Sequence, residues 1–206
     1  MEYKRVKQRS GDTKSRILEI SEELFADKGF DNTGIDEIAK KVGIAKSVIY
    51  YHFKNKDEIL QTMYQNFITE LLDLKIQKTH EYLEDREKAL DKAVKDSLKL
   101  LEKRKKILKI ILMESIKKTE DVPLFTAWDA NLNVAGKLYE EITRKKLENM
   151  PELSIEVFFM GFLPVIGFII FMDKWCEHYN MDKKEAGKTF MYIISRYYES
   201  YAKRIE

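Results

Sequence analysis

Apolar residues recur along this 206-residue chain at three- and four-residue intervals, and no segment alternates apolar with polar positions long enough to suggest a sheet. The spacing predicts a first helix from near Thr13, with Ile17, Leu18, Leu24 and Phe25 on one face. Gly29 is placed to end it in the left-handed conformation, with Phe30 folding back as its hydrophobic contact. Thr33 stands as the cap of a second helix, whose apolar side is Ile35, Ile38, Ala39 and Val42 and which stops at Gly43. A third, short helix covers Lys46 to His52 and turns Val48 and Ile49 inward, with Ile44 from the turn. The fourth opens at Asn55 or Lys56 and carries a stripe of Leu60, Met63, Phe67, Leu71 and Leu74 to about Lys78. Leaving a compact three-helix unit, it reads as a connector between domains.

The pattern resumes near Glu84. A fifth helix has Leu90, Val94, Leu98 and Leu101, and the run "EKRKK" separates it from a sixth with Ile107, Ile110, Ile111 and Met113. Pro123 suits the first position of a seventh helix, and Pro151 that of an eighth. Val157 to Met172 is a stretch without charge, shorter than the roughly 20 residues of a membrane span and interrupted by Gly161, Pro164 and Gly167. A buried helix with no role in a membrane is therefore expected there. Asp182 caps a ninth, with Ala186, Phe190, Ile194, Tyr197 and Tyr201 at helical spacing. The expectation is an all-α chain of about nine helices. Residues 1–56 would form the small N-terminal domain and residues 57–206 a C-terminal helical bundle.

Composition agrees: only 8 Gly and 3 Pro, with Lys, Glu, Leu and Ile abundant, favours helix. A single cysteine, Cys176, leaves no internal disulfide framework, and the start "MEYKRVKQRSGD" lacks the apolar run of a signal peptide, so the cytoplasm is the expected location. The net charge of +2 gives no reason to invoke nucleic acid. Its distribution is more informative: residues 1–16 hold six basic side chains against two acidic ones, with Arg5, Lys7 and Arg9 on this basic arm, which suits a nucleic-acid contact or a solvated terminus equally.

The stretch "IDEIAKKVGIAKSVIYYHFKNK" has the grammar of a helix-turn-helix, the unit that lays its second helix in the DNA major groove. Ala39 permits close helix crossing, Gly43 supplies the positive φ of the turn, and Ile38, Val42, Ile44 and Ile49 make a small core. Lys46, Ser47, Tyr50, Tyr51 and His52 are left to project outward, a set suited to phosphates and base edges. A three-helix core unit with solvated polar residues would carry the same pattern.

From Leu24 to Leu60 the chain resembles the DNA-binding domain of the TetR family of bacterial transcriptional regulators. The resemblance is carried by Leu24-Phe25, Gly29-Phe30, Thr33, Ile38-Ala39, Gly43, Tyr50-Tyr51-His52-Phe53 and Lys56 followed by an acid. It implies that Thr33 holds phosphate through its hydroxyl and that Lys46 and Ser47 meet base edges or phosphate. It implies further that Tyr50, Tyr51, His52 and Lys56 contact the backbone, and that the basic arm reaches an adjacent groove. Gly34, Ala45, Ser47 and Val48 depart from the family pattern, and Ala45 in particular brings no capping side chain to the recognition helix.

The C-terminal part is rich in aromatics. Phe125, Trp128, Tyr139, Phe158, Phe159, Phe162, Phe168, Met172 and Trp175 are an ordinary core one by one, and as a set under this resemblance the lining of a pocket for an apolar or aromatic effector. The resemblance also implies a homodimer through the last two helices, with Phe190, Ile194, Tyr197 and Tyr201 at the interface, presenting two recognition helices to a pseudo-palindrome in double-stranded DNA. His52, His80 and His178 lack metal-ligand spacing, and no phosphate loop or nucleophile elbow is present, so neither an enzyme nor a metal or cofactor is expected. The reading is a ligand-responsive repressor. An effector-independent or nucleoid-associated DNA-binding protein, or a helical protein-interaction module, stand as alternatives.

Overall fold

The computed structural model describes residues 2–82, 86–144 and 150–205, and all regular structure among them is helical. The elements are α1 (Glu2–Lys28), α2 (Ile35–Val42), α3 (Lys46–His52), α4 (Lys56–Tyr82), α5 (Arg86–Lys103), α6 (Lys105–Lys117), α7 (Pro123–Thr143), α8 (Met150–Glu156), a π-helical turn (Val157–Phe162), α9 (Leu163–Tyr179) and α10 (Lys183–Ile205). Helix α8, the π turn and α9 follow one another without a break, and together they are the predicted eighth helix. The all-α expectation holds among the described residues.

Local rules set most boundaries. Gly29 and Gly43 take φ of 86° and 80°, the left-handed values that close α1 and α2. Phe30 does fold back, meeting Phe25 edge-on at 5.1 Å. The amides of Gly43 and Ile44 both donate to the Ala39 carbonyl, which fixes the turn between α2 and α3. Asn55 caps α4 through the Glu58 amide (2.8 Å), and Asp182 caps α10 through the Glu185 amide (2.9 Å).

Two expectations about elements are corrected. The first helix begins at Glu2 rather than Thr13: the Glu, Lys, Arg and Gln of the expected arm are good helix formers, and Gly11 costs only about 1 kcal/mol. The long apolar helix is only partly buried. In the run Ser154–Tyr179, which is long and apolar enough to cross a membrane by length and composition, Phe158, Val165, Ile166 and Ile169 are buried, while Phe159, Met160, Phe171 and Trp175 are more than half exposed.

The π turn has a local cause. Pro164 has no N–H to give the Met160 carbonyl and its ring crowds the preceding turn, so the helix widens just before it. Helix α6 is the hub of the fold, packing on α1, α4, α5, α7 and α9, which is why Ile107, Leu108, Ile110 and Ile111 are all buried. Polar ties fix it to the N-terminal unit: Lys109 donates to the Ala26 carbonyl (2.5 Å), and Lys117 bridges the buried Glu114 (2.7 Å) and Asp31 (2.9 Å).

Candidate nucleic-acid interface

Helix α3 is held from below by one side chain. Ile49 is fully buried, in the core that also holds Ile17, Phe25, Ile38, Val42 and Phe53, and every other side chain from Lys46 to His52 is at least partly open. A seven-residue helix has no stability of its own, so its pose is set by Ile49, the Gly43 turn and the packing of α2 on α1. Its first residue follows Ala45, which is extended and makes no side-chain cap, as the sequence implied.

Lys46, Ser47, Tyr50 and Tyr51 are exposed, Tyr51 at 79%, with the Tyr51 ring edge-on to His52 at 5.1 Å. Partial burial, and secondarily the positive charge of Lys14, lowers the His52 pKa below the ordinary histidine value. Its imidazole therefore stands neutral at neutral pH, a donor and acceptor rather than a cation. Lys14 itself sits over the Phe53 ring at 5.3 Å, so α1 places one more cation beside the end of α3. The sequence reading had counted Lys14 only as part of a basic arm.

Two expected contacts are placed differently. Thr33 is buried, and its hydroxyl donates to the Gly29 carbonyl at 2.9 Å; Gly34, not Thr33, is the N-cap of α2. The hydroxyl is thus spent on the open end of α1 and is not offered to a phosphate. Lys56 points into the loop between α1 and α2, donating to the carbonyls of Phe30 (2.7 Å) and Thr33 (3.0 Å) while lying 4.2 Å from the Phe30 ring centre. It ties α4 to the entry of α2. The side chains of Arg5, Lys7 and Arg9 lie outside the described residues.

Asp36 was missed. It lies in the first turn of α2, and its carboxylate accepts from the Lys46 ammonium at 2.8 Å across the turn. Nothing in the sequence spacing points to Lys46 as its partner.

The expected pocket residues form a packed cluster with exposed outliers. Phe158 meets Phe125 (5.9 Å), Trp128 (5.4 Å) and Phe162 (5.9 Å), and the Trp128 indole donates to Ser154. Phe168 instead stacks on Phe190 at 3.8 Å, Phe125, Phe159 and Trp175 are each more than half exposed, and the Tyr139 side chain lies outside the described residues. The clefts lie elsewhere. One of about 840 Å³ separates α1 and α4 from the α5–α6 corner, with Glu22, Phe67 and Arg104 on its walls, and a shallower one of about 820 Å³ runs between α4 and α5. The expected dimer stripe also points inward: Ile194 is buried, Phe190 is in the Phe168 stack, and the Tyr197 hydroxyl donates to the Glu156 carbonyl (3.3 Å). Tyr201 has no described side chain.

Residues 17–63 match the family model described as bacterial regulatory proteins, tetR family. The N-terminal region is 38% identical over 60 residues to IcaR of Staphylococcus epidermidis, described as a negative transcriptional regulator of the biofilm operon icaADBC; this covers 29% of the chain and 32% of that regulator. The match thus spans under a third of the relative's length. A transcriptional regulator from Aquifex aeolicus is 25% identical with a TM-score of 0.57, over 77% of this chain and 85% of its own. A TetR-family regulator from Syntrophomonas wolfei reaches a TM-score of 0.67 at 18% identity, over 93% and 95%, so the likeness of fold extends through the C-terminal helices.

Proposed function

Since the chain belongs to the tetR family of bacterial regulatory proteins through residues 17–63, we propose that it is a homodimeric, ligand-responsive repressor whose α3 enters the major groove of a pseudo-palindromic operator. The observation that carries this is α3 itself: one buried residue, Ile49, and an outward set of Lys46, Ser47, Tyr50 and Tyr51 held in a fixed pose. Residues 1–56 act as the DNA-binding domain, and the remainder as the effector-binding and dimerising domain. The description of IcaR as a negative regulator supports repression over activation. An effector that binds better when the two α3 helices are wrongly spaced lowers DNA affinity by the same coupling factor.

The effector is apolar or aromatic and enters the Trp128–Phe158–Phe162 cluster beside the π turn, where the helix already departs from regular geometry. Lys56 and Thr33 contribute to DNA binding by shaping the loop before α2, and Arg5, Lys7 and Arg9 by charge. The test is a salt series of fluorescence anisotropy on duplex DNA. Tyr50→Ala is expected to weaken binding at every sequence, with an unchanged thermal melt because Tyr50 is half exposed. Equal affinity for the variant and the parent would refute the docking of α3.

A further inference from the structure

Three charged side chains of α2 pair with two neighbouring helices. Glu37 pairs with Lys28 and Lys41 with Glu23 (3.1 Å), and both of these pairs zip α2 to α1. Asp36 alone crosses to α3, and it meets the residue that opens the recognition helix. Both partners are open to water, Asp36 at 77% and Lys46 at 46%, and the pair lies at the start of α3, the helix read above as the one that enters the groove. An exposed carboxylate is an odd occupant of such a surface, since phosphates repel it.

We propose that Asp36 sets operator selectivity by holding the Lys46 ammonium off the phosphate backbone. This rests on the DNA-binding reading above and adds a residue to it. Nonspecific affinity comes from counterions released as Lys and Arg neutralise phosphates. A lysine already neutralised at 2.8 Å contributes little to that release unless the pair opens. At the right base, Lys46 gains directed acceptors such as guanine O6 and N7, which compensate for giving up Asp36. Random DNA offers it no such exchange. Asp36 therefore penalises wrong sequences more than the right one, and specificity is that difference.

The experiment is a double-mutant cycle of Asp36→Asn and Lys46→Met. Affinity is measured across salt on a random-sequence duplex and on the operator recovered by selection from random DNA. Asp36→Asn is expected to tighten random-duplex binding about three- to tenfold at low salt and to steepen the salt slope by about 0.9, with a fall in the operator-to-random ratio. In the Lys46→Met background the same change should have less than about a twofold effect. An effect of equal size with and without Lys46 would mean plain charge repulsion and overturn the proposal, as would an unchanged ratio. If the unmodified protein fails to bind duplex DNA, the DNA-binding reading fails with it; if it binds and Asp36→Asn changes nothing, only this inference fails. Thermal melts of each variant check the fold, because Asp36 also sits favourably in the first turn of α2.

Discussion

Lys56 and Thr33 are expected from the sequence to contact DNA, and in the structure both are committed to main-chain carbonyls. The Lys56 ammonium joins the carbonyls of Phe30 and Thr33, and the Thr33 hydroxyl closes on Gly29. A hydrogen bond from a charged donor contributes more than a neutral one, so Lys56→Met should lower unfolding free energy by about 1–2 kcal/mol and Thr33→Val by about 1 kcal/mol. Urea unfolding checks this; a Lys56→Met protein as stable as its parent would return that residue to a purely DNA-facing role. Where a rule is local, the sequence was a good guide: Gly29, Gly43 and Asp182 act on groups within five residues. The partners of Lys56 lie 23 and 26 residues back, and nothing in the spacing points to carbonyls.

Helices carry more than one usable face, and periodicity alone does not say which face meets which neighbour. In α10 the stripe of Phe190, Ile194 and Tyr197 was legible, but it packs inward on α9 and the π turn, and among the described side chains of α10 Tyr192 and Ile193 are exposed apolar positions. The long-range ties that orient the helices were invisible for the same reason. Asp173 of α9 accepts from Lys105 of α6 (2.5 Å) and Lys183 of α10 (2.7 Å), and these two hydrogen bonds hold its pKa down to about 2. The folded value lies below the ordinary 3.8, so the tie contributes fully above that pH and is lost progressively as pH falls from there through the folded pKa of about 2. Because Asp173 is half exposed, screening limits the contribution to under about 1 kcal/mol. Asp173→Asn should thus be slightly less stable than the parent at neutral pH and equal to it only below the folded pKa of about 2. Denaturant unfolding at the two pH values measures it, and a deficit that persists in acid would assign the loss to packing.

For the molecule as a whole, the apolar surface left open is concentrated on the last helices. Phe171, Trp175 and Tyr179 recur every fourth residue along α9, with Phe159 and Met160 on the π turn before it and Tyr192 and Ile193 on the adjacent α10. A second copy related by a two-fold axis would cover this surface with its own equivalent, as an isologous interface does. A lipid surface would cover it as well, but would leave each α3 to bind DNA singly. The proposed dimer would instead set two α3 helices at a fixed spacing of one helical turn, roughly 34–36 Å, or a multiple of it, and so link their binding. Trp175→Glu combined with Ile193→Glu should therefore give a folded monomer by sedimentation, since neither side chain is buried within one copy. Its affinity for a two-half-site operator should fall at least about a hundredfold, while its affinity for a single half-site stays unchanged. Ile194→Ala should act differently, lowering stability by about 2–4 kcal/mol because Ile194 packs within the chain. A double variant that still sediments as a dimer would move the interface elsewhere. One that is monomeric yet binds the full operator as tightly as its parent would break the link between dimerisation and operator recognition.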